Sequence, residues 1–215
     1  IQAMALTEDD ANAALESASK DVEQGSVGAG TGMSAFGFKG GIGSASRVFS
    51  LGGRRFALGA LVLANFGKPG DLVLPDGRRP HPKDGRKDGK ENTERGSVIV
   101  VLATDVPLES RQLKRVAKRA GAGLARLGAY YGNGSGDIAL AFSTAGRIRH
   151  FEESDFIARD ILTEDKIDVL FQAAAEITQE AVLNAMIASP AMRGRDRNRR
   201  PSLADWLREN GGAPG

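Results

Sequence analysis

Apolar residues either alternate with polar ones or run unbroken in four stretches of the chain, and each stretch predicts a β-strand. The four stretches are 42–51, 56–64, 97–104 and 138–142. Gly52-Gly53 lies between the first two and is typical of a tight hairpin turn. Residues 57–64 are apolar throughout, which favours a strand covered on both faces.

Helical spacing of apolar residues, with capping residues at the starts, predicts four helices. The first runs from the cap Thr7 to about Val22, the second spans 110–127, the third follows Thr163 and ends before Pro190, and the last covers 202–209. Basic residues of the second helix lie off its apolar stripe and predict a solvated face. The Arg-rich tail at 193–200 is expected to be loose. This order of elements predicts an α+β layered fold, with central sheets and helices outside.

Two glycine-rich or polar segments connect these elements. Residues 25–44 contain many glycines, but Met33 replaces the third glycine of a dinucleotide fingerprint and Lys39 is followed by Gly40 rather than Ser or Thr. We therefore interpret these glycines as sites of close backbone approach. Residues 68–96 are rich in Pro, Gly and charge, and they predict a long solvated loop.

Charge, hydropathy and the numbers of cysteine and histidine residues argue against several classes of function. The net charge of +2 gives no reason to expect nucleic acid, and no apolar run has the ~20 residues that a membrane span needs. The start of the sequence does not resemble a signal peptide, and a cytoplasmic location is favoured over a periplasmic one. The absence of cysteine excludes thiolate chemistry, and only His81 and His150 are available for a His-based site. We expect no metal and no cofactor.

Several short polar motifs occur at the ends of the apolar strands. In chain order they are Gly28-Ala29-Gly30-Thr31-Gly32, Phe38-Lys39-Gly40-Gly41-Ile42-Gly43, Leu63-Ala64-Asn65-Phe66-Gly67, Gly96-Ser97 with the strand to Asp105, and Ser135-Gly136-Asp137. Taken alone, Asn65, Ser135 and Asp137 are typical turn residues. Taken together and in this order, the motifs resemble the family of L-aminopeptidase D-amidase/D-esterases and β-peptidyl aminopeptidases, over about residues 25–190.

This resemblance implies a four-layer αββα sandwich that is similar to N-terminal-nucleophile hydrolases and to ornithine acetyltransferases. It implies that the chain cuts itself between Gly96 and Ser97, so that residues 1–96 end an α chain and 97–215 form a β chain. Ser97 would be the nucleophile, Asn65 a donor of the oxyanion hole, and Ser135 and Asp137 the serine and acid that accompany the nucleophile. The family's N-terminal portion, which supplies an oxyanion-hole tyrosine, has no counterpart here. We interpret residues 1–215 as one domain and as the C-terminal part of a longer precursor.

The chemistry fits a chain with two histidines and no cysteine. A serine hydroxyl needs a base, and the α-amine of a newly formed N-terminal serine has a reference pKa of about 7.7–8.0. The resemblance implies substrates with a free amino group, namely short peptides, amides or esters of L-, D- or β-amino acids, and a homo-oligomer is expected. Two alternatives stay open: an acyltransferase of the ornithine acetyltransferase type, and a binding or structural domain in which the bond before Ser97 stays intact.

Overall fold

The computed structural model describes residues 5–82, 96–147, 149–151, 153–194 and 198–211. Its helices are α1 (Glu8–Glu16), α2 (Ser110–Arg126), α3 (Asp168–Ile187) and α4 (Leu203–Glu209). Its strands are β1 (Ser34–Ala35), β2 (Phe38–Lys39), β3 (Gly41–Leu51), β4 (Arg54–Asn65), β5 (Ser97–Thr104), β6 (Ile138–Ser143), β7 (Met192–Arg193) and β8 (Arg199–Arg200). Short 3₁₀ turns lie at Gly28–Gly32 and Glu164–Lys166.

The main sheet has four strands in the order β3-β4-β5-β6. Strands β3 and β4 form an antiparallel hairpin with Gly52 and Gly53 at its tip, both at positive φ, as the sequence predicts. Strand β5 is antiparallel to β4, whereas β6 is parallel to β5. Helix α2 connects β5 to β6, because parallel neighbours need a crossover rather than a hairpin. This topology brings the end of β4 and the starts of β5 and β6 to one edge of the sheet.

Helices α2 and α3 pack side by side on one face of the sheet and enclose the core. Alternate residues of β4 and β5 point into this core, among them Leu58, Val62, Val100 and Leu102, all of which are buried. Gly43 allows α3 to approach β3 so closely that a Cβ at this position would overlap the Ala181 carbonyl oxygen. The helical layer and the sheet therefore form two of the four layers that the resemblance implies.

The opposite face of the sheet, which we call the open face, is also apolar. The register places Leu61, Ile99, Val101, Ile138, Leu140 and Phe142 on it. Leu61 is 41% exposed, so the prediction that β4 is covered on both faces is wrong for the described chain. A continuous apolar run fits both a doubly covered strand and a strand that leaves one apolar face uncovered, and the pattern does not distinguish the two.

The other strand and helix predictions hold, with differences at the ends of the chain. Helix α1 ends at Glu16 rather than near Val22, and none of its residues is buried, so no packing extends it. The basic tail is not loose where it is described, because β7 pairs with β8, and α4 follows as predicted. The 3₁₀ turn at 28–32 and the two-residue strands β1 and β2 have no periodicity that sequence reasoning could detect. Residues 68–82 contain neither helix nor strand, and the charged residues 83–95 lie outside the described residues.

No helix in the described ranges combines the length and the apolar character that crossing a membrane requires.

Candidate active site

The four candidate residues meet at the edge of the sheet where β4 ends and β5 begins. Asn65 is the last residue of β4, and the register pairs it directly with Ser97, the first residue of β5. Cross-strand partners have Cβ atoms about 4.5–5.5 Å apart, and their side chains lie on the same face, here the open face. The antiparallel pairing of two strands that are distant in sequence thus places the amide beside the hydroxyl.

The turn before β6 joins the same edge. Gly96 and Ser135 form an isolated parallel bridge in the register of β5 and β6, three residues before the Ile99–Ile138 pair. The Gly136 amide donates to the Gly96 carbonyl at 3.2 Å and also lies 3.3 Å from the Ser97 hydroxyl oxygen. This turn therefore lies directly against the Gly96–Ser97 peptide, and Gly136 supplies a donor that sequence reasoning missed.

The Ser97 hydroxyl is exposed and donates to the carbonyl oxygen of its own preceding residue, Gly96, at 2.7 Å. This contact keeps the hydroxyl against the Gly96–Ser97 peptide, whose carbonyl carbon it would attack. A Cβ on Gly96 would overlap the Asn65 carbonyl oxygen, so only glycine fits before Ser97. The close approach of β4, rather than an unusual φ, requires this glycine.

The Asn65 carboxamide has a defined orientation. Its Oδ1 accepts a hydrogen bond from the Ser34 amide at 3.1 Å. Because a backbone amide can only donate, the oxygen must face Ser34 and the Nδ2 group must face away from it. Nδ2 donates to no other group in the described parts of the chain, so it is available to a ligand. The turn after Asn65 is held by the edge-to-face pair of Phe36 and Phe66, with ring centroids 5.1 Å apart.

Ser135 and Asp137 interact with each other. The Ser135 hydroxyl donates to Asp137 Oδ1 at 2.6 Å, and both side chains are half-buried. The fixed hydroxyl and the carboxylate give this side of the site an acceptor for a positively charged amine. Beside them stands Tyr131, at the uncommon φ of 56°. Burial and then the negative charge of Asp137 raise the pKa of Tyr131.

A buried lysine lies behind Asn65. The Lys39 side chain is only 2% exposed, and its Nζ donates to the carbonyl oxygens of Gly30, Met33 and Gly40 at 2.8, 2.9 and 2.6 Å. Burial lowers the pKa of this ammonium. The glycine-rich segments are thus sites of close backbone approach, as the sequence suggests, and they also enclose a cation. In the sequence, the position of Lys39 between Phe38 and Gly40 does not indicate that its side chain is buried.

Groups of three or more metal-ligating side chains do not occur among the described residues.

The basic residues of α2 are not simply solvated. Arg111 and Arg115 pair with Glu164, and the Arg119 guanidinium lies 3.8 Å from the centre of the Phe171 ring. These contacts join α2 to α3 and to the turn before α3. They do not involve the four candidate active-site residues.

The chain is similar to known proteins in sequence and in fold. The profile of peptidase family S58 matches residues 1–200. The beta-peptidyl aminopeptidase BapA of Sphingosinicella microcystinivorans is 40% identical over 191 residues, which are 82% of this chain and 48% of that protein. The chain spans about half the length of the curated relatives that it matches.

Solved structures show the fold. The L-aminopeptidase D-Ala-esterase/amidase of Ochrobactrum anthropi, described as a prototype of the serine aminopeptidases and a new variant of the Ntn hydrolase fold, aligns with a TM-score of 0.83. It is 42% identical, and the match covers 97% of this chain and 59% of that one. A protein of Pyrococcus horikoshii OT3 aligns with a TM-score of 0.82 at 46% identity, over 95% of this chain and 57% of that one. The expected α+β, Ntn-hydrolase-like fold is confirmed.

Proposed function

Because the chain belongs to the S58 family of peptidases, we propose that it hydrolyses amide or ester bonds that follow an N-terminal amino acid, through an acyl-enzyme on Ser97. The observation that carries the proposal is the junction of β4, β5 and the turn before β6. There an exposed serine hydroxyl lies 2.7 Å from the Gly96 carbonyl oxygen, beside a carboxamide with a free Nδ2 group.

The first step is cleavage of the chain between Gly96 and Ser97. Ser97 Oγ attacks the Gly96 carbonyl carbon and gives up its proton, and the C–N bond breaks as the Ser97 nitrogen takes up a proton. The amide thereby becomes an ester, and water hydrolyses that ester to a Gly96 carboxylate and a free Ser97. The Gly136 amide, 3.2 Å from the Gly96 oxygen, supports the negative charge that develops on this oxygen.

Cleavage also creates the base. The α-amine of Ser97 has a reference pKa of about 7.7–8.0, so a useful fraction is neutral near pH 7. The amine and the hydroxyl that it must deprotonate belong to the same residue. No long side chain therefore has to be ordered to bring the base to the hydroxyl. In the cleaved protein Ser97 Oγ attacks the substrate carbonyl, the amine takes the proton, and the leaving group departs with a proton from that amine.

The remaining residues act on the charges of this reaction. Asn65 Nδ2 donates to the oxyanion, a contact whose loss costs about 3–4 kcal/mol in well-studied hydrolases. Asp137, which holds the Ser135 hydroxyl at 2.6 Å, attracts the substrate's ammonium group and orients the Ser97 amine. Ser135 fixes that geometry. We propose short peptides, amides and esters with a free amino group as substrates, and a homo-oligomer as the working form.

The test is the Ser97→Ala variant, compared with the wild type on a denaturing gel and in an assay with an aminoacyl p-nitroanilide. We expect the wild type to give two fragments, the larger one starting at Ser97, and the variant to stay intact and inactive. Ser143→Ala is the control, because that serine lies on β6 and its hydroxyl donates only to the Val106 carbonyl. Two fragments from Ser97→Ala, or an active wild type that stays intact, contradict the proposal.

A further inference from the structure

The Lys39 ammonium is connected to Asn65 through one peptide group. Lys39 Nζ donates to the Met33 carbonyl at 2.9 Å. The same peptide continues into the Ser34 amide, which donates to Asn65 Oδ1 at 3.1 Å. Cation, peptide and carboxamide therefore form one chain of hydrogen bonds that ends at the free Asn65 Nδ2 group.

Each amide in such a chain passes polarisation onward. A donor on the carbonyl oxygen draws electron density from the nitrogen and makes its N–H a stronger donor, by perhaps about 10–30% per bond. The first donor here is a full positive charge in a buried setting, where its field is weakly screened. The second amide is that of Asn65, so its Nδ2 group receives the effect.

No ion pair among the described residues accounts for the charge of Lys39. Within the part of the chain that the structure describes, its ammonium contacts only carbonyl oxygens and no carboxylate. Burying an ammonium without a counter-ion is costly, and an uncharged donor would satisfy these carbonyls at lower cost. A positive charge is of use, however, to a reaction that generates an oxyanion.

We propose that Lys39 is a positioning residue that strengthens the oxyanion contact of Asn65 through the Met33–Ser34 peptide. The inference rests on the proposed function, because it requires that Asn65 bind an oxyanion. Lys39 itself does not touch the substrate. It acts in the transition state, where the negative charge is present, and hardly at all when the neutral substrate binds.

The experiment is a double-mutant cycle in the full chain, with Lys39→Met, Asn65→Ala and the combination. Rates of aminoacyl p-nitroanilide hydrolysis are divided by the number of working sites, counted from the burst of an aminoacyl p-nitrophenyl ester. Misfolded or uncleaved protein thus lowers the burst and leaves the rate per site unchanged. We expect Lys39→Met to lower kcat about 10-fold with KM changed less than about 2-fold, and to have no further effect in Asn65→Ala.

Two further variants distinguish the effect of the hydrogen-bonded connection between Lys39 and Asn65 from the effect of a general loss of stability. Ser189→Ala is the matched control, because this buried hydroxyl lies 2.9 Å from the Gly40 carbonyl oxygen, which Lys39 also contacts, and 2.7 Å from the Ala185 carbonyl oxygen. We expect it to lower the melting temperature and to keep kcat. Ser34→Pro removes the amide that reaches Asn65, together with the Ser34 hydroxyl, and Met33 already has the extended backbone, φ −83° and ψ 150°, that precedes proline. It should reproduce the kcat loss of Lys39→Met.

Losses that multiply in the double variant overturn the inference, and so does a Lys39→Met or Ser34→Pro protein with wild-type kcat per site. A cleaved wild type without any burst overturns the proposed function and the inference together. A normal wild type with multiplying losses overturns the inference alone.

Discussion

At the scale of single residues, the orientation of the Asn65 carboxamide decides what the site can bind. The Ser34 amide fixes Oδ1, and Nδ2 remains free within the described chain. We expect Asn65→Ala to lower kcat about 10²- to 10³-fold with little change in KM, because the contact forms mainly in the transition state. Steady-state kinetics of the cleaved protein measure both constants.

Asn184→Ala is the control for this prediction. Its Nδ2 donates to the Ser44 carbonyl at 2.9 Å and joins α3 to β3, away from the sheet edge. We expect this variant to lose stability and to keep kcat. Equal effects of the two substitutions on kcat would show that Asn65 matters only for the fold.

Gly96 is the second residue for which a close contact predicts an effect on the reaction, here on self-cleavage. A Cβ there would overlap the Asn65 carbonyl oxygen, so Gly96→Ala must push β5 away from β4 at the bond that is to be cut. Displacements of about 1 Å cost on the order of 100-fold in rate, and we expect self-cleavage to slow by about that factor. The measurement is the uncut fraction over time on a denaturing gel.

Gly32→Ala serves as the comparison, since a Cβ at Gly32 would meet nothing within 4 Å. It should be cut at the wild-type rate. Rapid cutting of Gly96→Ala would mean that the strand pair tolerates a methyl group at the cleavage point.

The sequence predicts residues of this site only in part. Ser97, Asn65, Ser135 and Asp137 are predicted from the order of the motifs along the chain, since a Gly-Ser pair means little by itself and the other three residues alone are common turn residues. Lys39 was missed, because nothing in the surrounding glycines marks a lysine as buried. Gly136 was overlooked as a donor for a different reason: its contribution is a backbone amide, which every residue but proline has.

At the scale of elements, the contact between α3 and β3 depends on Gly43. A Cβ there would overlap the Ala181 carbonyl oxygen, which belongs to the helix backbone and has little freedom to move. We expect Gly43→Ala to destabilise the fold by about 1–3 kcal/mol. For a chain of this size each kcal/mol lowers the melting temperature by about 2–4 °C, so thermal unfolding detects it.

Gly59→Ala on β4 is the matched control in the same sheet. The nearest atoms to a Cβ there are 4.0 Å away, which is ordinary contact distance. Its melting temperature should stay near the wild-type value. A similar loss in both variants would mean that the strands resist any added side chain, and that the helix is not the cause.

Helices α2 and α3 are joined on their outer side by Glu164, which contacts Arg111 and Arg115 and accepts from the Gln112 amide at 3.1 Å. Hydrogen bonds from Arg111 are the main cause that lowers the pKa of Glu164. A carboxyl whose pKa is lower in the folded state adds stability above its unfolded pKa of about 4.3, and this stability is lost as the pH falls through the folded value.

We therefore expect Glu164→Gln to be less stable than the wild type at pH 6–7, by a small amount because the pair is exposed, and the difference to vanish as the pH falls well below about 4. Urea unfolding between these pH values measures the difference. Glu16→Gln on α1 is the control, because Glu16 has no ion pair among the described residues. A pH-independent difference would exclude the charge as its origin.

The elements that are predicted well are those in which buried residues recur with the period of a strand or of a helix. Strand β5 has the predicted bounds, and α2 ends within one residue of the expected position, because one face of each packs against the core. Helix α1 was predicted too long, since it has good caps but no buried face to continue along. Strands β1 and β2, of two residues each, are defined by pairing alone, which no local pattern reveals.

At the scale of the whole molecule, the sheet has one face covered by helices and one open apolar face. Leu140 is 46% exposed and Phe142 45%, and their cross-strand partners are also apolar. A contiguous apolar patch of this kind is uncommon on a folded surface that remains in water. The candidate site lies at the edge of the same face, because Ile99, two residues after Ser97, belongs to it.

The open face gives the last prediction, which concerns the 215-residue chain by itself. We expect this chain to bind a hydrophobic dye and to associate as its concentration rises, because association removes the apolar face from water. Leu140→Lys places a charge on the open face, midway along β6, and should reduce both effects. Ile187→Lys, at the end of α3 and 44% exposed, is equally apolar before substitution but lies away from the sheet. It should change neither effect, and sedimentation with dye fluorescence compares the two variants. If Leu140→Lys associates like the wild type, the open face is not the surface that drives association, and another contact must bring the chains together.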